Sequence, residues 1–170
     1  MHLSPHLKAL IVGTAVFSAV VTLFSCNSID DDRIPAAAVN ITFSTAADWN
    51  IYGVAGAMDY KYFILSKREP SNFPYLASSA TGFGGVLLVS NVMGEPMAYD
   101  MACPVECKSS VVVRIDKEIM QARCPECGST YDVFSLMGHP TGGPAATGHY
   151  GLRRFYVGPG RGGAYMVVTF

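Results

Sequence analysis

Four cysteines constrain what this chain can fold into more than anything else in it. Cys103 and Cys107, in "ACPVEC", enclose three residues, and Cys124 and Cys127, in "RCPECGSTYD", enclose two. Sixteen residues, "KSSVVVRIDKEIMQAR", lie between the pairs. That stretch reads as a strand, a turn at Asp116-Lys117 and a second strand. A hairpin returns its ends to one place, so the spacing predicts that both pairs meet at its base. In "CPECG" the proline and glycine let the backbone turn so that both sulfurs face one point. Four thiolates converging from two short loops suit a tetrahedral metal. The expected metal ligands are therefore Cys103, Cys107, Cys124 and Cys127.

Three occupants fit that donor set. Zinc matches the count and geometry and needs no redox partner. A [2Fe–2S] cluster also takes four cysteines. Two disulfides are the third option, because an exported protein lives where disulfides form. A bridge inside either short loop would be tight, so disulfides are expected to cross between the loops.

Export is read from the N-terminus. "MHLSPHLKALIVGTAVFSAVVTLFSC" places one lysine, Lys8, before an apolar run from Ala9 to Ser25. This is the layout of a secretory signal, and it is short for a spanning helix. The run ends at "LFSC", which resembles a bacterial lipobox, although Phe24 is bulkier than the usual residue there. The resemblance implies a signal peptide over residues 1–25, cleavage before Cys26, and covalent lipid on Cys26. The lipid would anchor the protein to the membrane, in the outer membrane of a Gram-negative envelope. Residues 26–38, "CNSIDDDRIPAAA", are polar and acidic and end in small residues, so they read as a flexible tether. The run Asp30 to Asp32 also resembles the acidic tag that sends some lipoproteins to the cell surface.

Residues 39–170 are expected to form one all-β domain. "VNITF", "WNIYGV", "YKYFIL", "GGVLLVS", "VVVRI", "EIMQAR", "STYDVF", "LRRFYV" and "AYMVVTF" are short and extended in character, with turn residues between them. No long segment has helical periodicity. Residues 67–82 read as a loop-like insertion. The pattern predicts an antiparallel sandwich or barrel of about ten strands. Net charge is −1, which argues against a nucleic-acid partner, since such a partner selects a basic surface.

From Gly84 to Phe170 the chain resembles the Rieske iron–sulfur domain. The resemblance lies in the order of "GGVLLVS", "MAYDMACP", the hairpin, "CPECGSTYD", "GGPA" and "LRRFYV". It covers roughly half the chain. It implies a Rieske-like β-sandwich with a small loop subdomain, rubredoxin- or zinc-ribbon-like, that carries the cysteines. Cys103 and Cys124 match the family's two cysteine ligands. Gly128, Ser129 and Tyr131 match residues that follow the second histidine ligand. Gly143, Pro144 and Ala145 match the loop that covers the cluster. The implied role is electron transfer, with a redox or surface protein as partner; the alternative is a non-redox structural or binding lipoprotein whose four cysteines hold zinc or form disulfides.

The departures are specific. Val105 and Cys127 stand where the family has its two histidine ligands, and Cys107 is an added thiol. An all-cysteine cluster would have a much lower potential than a histidine-ligated one. "MHLSPHLKAL" carries no twin-arginine signal, which favours zinc or disulfides acquired after export. His139 and His149 lie in glycine- and proline-rich surroundings and read as loop residues. No nucleophile, base and orienting group form a recognisable motif, so stand-alone catalysis is not expected.

Overall fold

"VLLVS" is apolar without alternation, and its position explains why. It forms a central strand covered on both faces. Leu87 and Val89 enter one buried cluster, while Val86 and Leu88 enter another on the opposite face. Val86, Leu87, Leu88 and Val89 are fully buried.

The computed structural model describes residues 28–160 and 165–168. The expected signal peptide and Cys26 lie outside the described residues. In chain order the elements are β1 (Val39–Thr42), α1 (Ala46–Tyr52), β2 (Tyr60–Phe63), β3 (Ala80–Thr81), β4 (Val86–Ser90) and β5 (Pro96–Asp100). There follow β6 (Arg114–Asp116), β7 (Gln121–Arg123), β8 (Thr130–Asp132), β9 (His139–Gly142), α2 (Gly143–Gly148), β10 (Arg154–Pro159) and β11 (Tyr165–Val168). One sheet has the order β2-β4-β5-β10-β11-β1-β3, and a second has the order β6-β7-β8-β9. All their strand pairings are antiparallel. The fold is thus all-β, with two open sheets and no closed barrel among the described residues. No helix among them is long and apolar enough to cross a membrane.

The four-stranded sheet packs on the face of the larger sheet that carries Leu87, Val89, Tyr99 and Met101. The cluster between them includes Ala122, Tyr131, Phe134, Cys103 and Cys124. The opposite face carries an aromatic cluster. Phe73, from the expected loop insertion, is its hub. It meets Phe43, Phe63, Tyr52 and Tyr75 edge to face, at centroid distances of 5.4, 5.1, 5.4 and 4.8 Å.

Two expectations need correction. "WNIYGV" does not begin as a strand: Trp49 to Tyr52 complete helix α1. Thr45 and Asp48 form a reciprocal capping box, with N···O distances of 3.1 and 3.0 Å. That cap satisfies two backbone donors at the helix start and outweighs the strand preference of the aromatic and β-branched residues. The tether is the second correction. Of its described residues, 28–38, the stretch 30–34 is bonded to the domain. Ile34 is 1% exposed, and its carbonyl accepts from Arg153 Nε at 3.1 Å and Nη2 at 2.6 Å. Asp31 and Asp32 pair with Arg154 and Arg153 at 3.3 and 3.0 Å. The buried isoleucine and the arginine pairs hold down a segment whose composition alone reads as a linker.

Candidate metal centre

Two loops build the site, and each is closed by its own backbone. Loop 1 leaves β5 at Asp100, whose carboxylate accepts from the N–H groups of Phe83, Gly84 and Ala102 at 2.8, 3.0 and 2.8 Å. Asp100 is 1% exposed. Burial raises its pKa, in opposition to the three N–H donors and Arg153. The three bonds fix the chain just before Cys103. Cys103 N–H then donates to Val111 O at 2.9 Å, which ties the loop to the segment leading into β6.

Loop 2 joins β7 to β8. Cys124 N–H donates to Ser129 O at 2.9 Å, and Gly128 N–H donates back to Cys124 O at 3.1 Å. Gly128 has φ +70°, the left-handed conformation that this turn needs and glycine adopts without strain. The expected hairpin forms between the loops, but its turn falls later than Asp116-Lys117: Arg114 pairs with Arg123 and Asp116 with Gln121, and residues 117–120 make the turn.

The sulfurs of Cys103, Cys124 and Cys127 lie within 4.8 Å of one another. Cys103 and Cys127 Sγ are 3.6 Å apart. A tetrahedral ion with bonds of about 2.3 Å to sulfur separates its ligands by about 3.8 Å. Cys103 and Cys127 therefore stand at that spacing, and Cys124 lies close enough to complete a group that one metal could gather. All four cysteines of the domain are free thiols.

Cys107 is not in this group. The reason lies in the turn. Cys107 N–H donates to Cys103 O at 2.9 Å, and Cys107 has φ +51°. In loop 2 the residue with the same bond and the same left-handed backbone is Gly128, one position past the ligand Cys127. Cys107 thus occupies the glycine position of its turn, and its sulfur faces Pro104 O at 3.1 Å instead of the other thiols. Neither His139 nor His149 belongs to the group.

The expected covering loop is the start of α2. Ala145 is fully buried and its N–H donates to Ser129 Oγ at 3.1 Å. A Cβ on Gly143 would stand 2.9 Å from Ser129 Cα, so only glycine allows α2 to lie this close to loop 2. Pro144 is in the first turn of the helix, where its missing N–H costs no hydrogen bond.

The thiols differ electrostatically. Burial pushes Cys124 up to about 12. Burial also acts against the Cys127 thiolate. The Ser129 hydroxyl 3.2 Å away, the Ser129 backbone and the neighbouring sulfurs reverse that effect and hold Cys127 below its ordinary value. Tyr131 Oη lies 3.6 Å from Cys103 Sγ, and burial followed by that sulfur raises the phenol. A cation among the three sulfurs would stabilise all of them as thiolates.

No protein-family model matches the chain, and neither a curated protein nor a solved structure is significantly similar to it. The sulfur geometry therefore carries the functional reading. Asp100 was not singled out by sequence reasoning. Its signal was an acid inside the otherwise apolar "MAYDMA", where only a hydrogen-bonded role makes burial tolerable.

Proposed function

We propose that the protein is an exported, lipid-anchored protein with a Rieske-like domain whose cysteines hold a single metal ion. Zinc is the occupant this donor set supports best. The observation that carries the reading is the grouping of Cys103, Cys124 and Cys127 within 4.8 Å. A [2Fe–2S] cluster divides four cysteine ligands between two irons, so at most two cysteine sulfurs share one iron. Three sulfurs in one group, with Cys107 apart, favour a mononuclear centre. In this reading the ion staples loop 1 to loop 2 and so fixes the face formed by the two loops and α2. That face would meet a protein partner at the envelope, and a zinc centre there would not be redox-active.

The test uses the full chain in detergent, purified without oxygen. A visible spectrum, elemental analysis and a free-thiol count are taken on one sample. A colourless protein with one zinc is expected. Visible bands with two irons per chain would replace the reading by an iron–sulfur electron carrier. Absence of both metal and free thiols would replace it by a disulfide staple.

A further inference from the structure

We propose that Cys107 is an exchangeable fourth ligand, held off the metal by Arg33 of the docked N-terminal segment. This rests on the metal-centre reading above. Three sulfurs define three corners of a tetrahedron, and the fourth thiol of the same two loops is turned away. Its backbone is left-handed at φ +51°, a conformation that a side chain disfavours. Relaxing that residue to an ordinary backbone conformation would break the turn and free the sulfur to move. Within the turn, the Cys107 N–H bond to Cys103 O and the Cys107 Sγ contact to Pro104 O hold the strained form, and a contact from outside the turn can add to them.

Arg33 is in position to do so. Its Nε donates to Pro104 O at 2.9 Å, inside the turn that ends at Cys107. Its Nη2 is 4.0 Å from Cys107 Sγ, and its carbonyl is 3.9 Å from the same sulfur. The guanidinium also lies over the Tyr150 ring, 3.9 Å from the centroid. Ile34, the next residue, is buried and bonded through its carbonyl to Arg153. The N-terminal segment therefore reaches across loop 1 and is fastened on the far side.

With the segment docked, a metal bound to Cys103, Cys124 and Cys127 keeps one position for water or an external thiol. Three protein ligands with an open position make a reactive site, whereas four make a closed structural one. When the segment lifts, the Cys107 thiol releases its proton to solvent and forms a sulfur–metal bond as the metal–water bond breaks. No electron changes hands. The site thereby reports whether residues 30–34 are docked.

The test counts sulfurs around Zn²⁺ by X-ray absorption in the full chain in detergent. Three are expected in the wild type, four in Arg33→Ala, and three again in Arg33→Ala combined with Cys107→Ser. Since Arg33→Ala can also affect folding, a second measurement needs no variant. Zinc-loaded wild type is alkylated with iodoacetamide and mapped by peptide: Cys107 should react while Cys103, Cys124 and Cys127 are protected. Four sulfurs in the wild type, protection of Cys107, or three sulfurs in a folded Arg33→Ala protein would each overturn the latch while leaving the metal centre standing. Failure of the wild type to bind Zn²⁺ would overturn both.

Discussion

At the scale of single residues, Asp100 does the most with one side chain. It accepts three backbone N–H groups from two segments. Asp100→Ala leaves them buried and unpaired, at about 1–3 kcal/mol each before relaxation. We expect the variant to lose about 3 kcal/mol or more in urea denaturation. The pH dependence has a definite sign. The carboxyl is held above its ordinary value by burial, so the folded state binds its proton more tightly than the unfolded chain. That contribution is present below the ordinary carboxylate range and is lost as pH rises through the folded value. Asp100→Asn cannot titrate. The stability gap between wild type and Asp100→Asn should therefore narrow as pH is raised from about 4. A gap that widens over that range would show that the three N–H donors, not burial, dominate the site.

At the scale of elements, two joints are open to test. The first is the cap of α1. Removing the Thr45 hydroxyl leaves the Asp48 N–H without its acceptor, and Thr45→Ala should cost about 1 kcal/mol. Serine at the same position should restore most of it. The second joint links the two sheets. Arg114 of β6 makes two hydrogen bonds to the Glu69 carboxylate, at 2.8 and 2.9 Å, and its guanidinium lies over Tyr62 of β2. Arg114 holds Glu69 below its ordinary value. Both side chains are about one-third exposed, so solvent screens the pair. Glu69→Gln should lose about 1 kcal/mol at neutral pH, near the upper end for an exposed pair. A carboxylate with a lowered folded value contributes above the unfolded value, and the contribution disappears as pH falls. The difference between Glu69→Gln and wild type should accordingly shrink as pH falls below the ordinary carboxylate range and through the lowered folded value. Thermal melts at several pH values measure it.

At the scale of the molecule, the N-terminal segment is part of the fold. Ile34 sits in the interior, and Arg153 and Arg154 bind the acidic run that precedes it. Ile34→Ala should cost about 2–4 kcal/mol, as other buried large-to-small changes do. A chain beginning at residue 39 should melt below the full chain by more than Ile34→Ala does, since it loses the arginine contacts as well. Equal melting temperatures for the chain starting at residue 39 and the full chain would restore the reading of residues 26–38 as a simple tether. The acidic residues Asp31 and Asp32 are engaged in the folded protein, so a receptor reading them as a surface tag would have to compete with two arginines.

Much of this was legible along the chain, for reasons of short range. Strand character follows from local residue types, so β1, β2, β4, β8, β10 and β11 fall on segments that look extended. The β6–β7 hairpin and the convergence of Cys103 with Cys124 and Cys127 follow from spacing, because a hairpin brings its ends together at any register. Tertiary structure decided the rest. Whether Cys107 joins the other thiols depends on one backbone angle, which the spacing of the cysteines does not encode. Whether residues 28–38 hang free depends on a pocket for Ile34 and on two arginines more than a hundred residues away, Arg153 and Arg154. Asp100 could be buried only where Phe83, Gly84 and Ala102 present their N–H groups together. Composition reports what a segment prefers alone; burial and hydrogen bonding between distant segments decided what it does here.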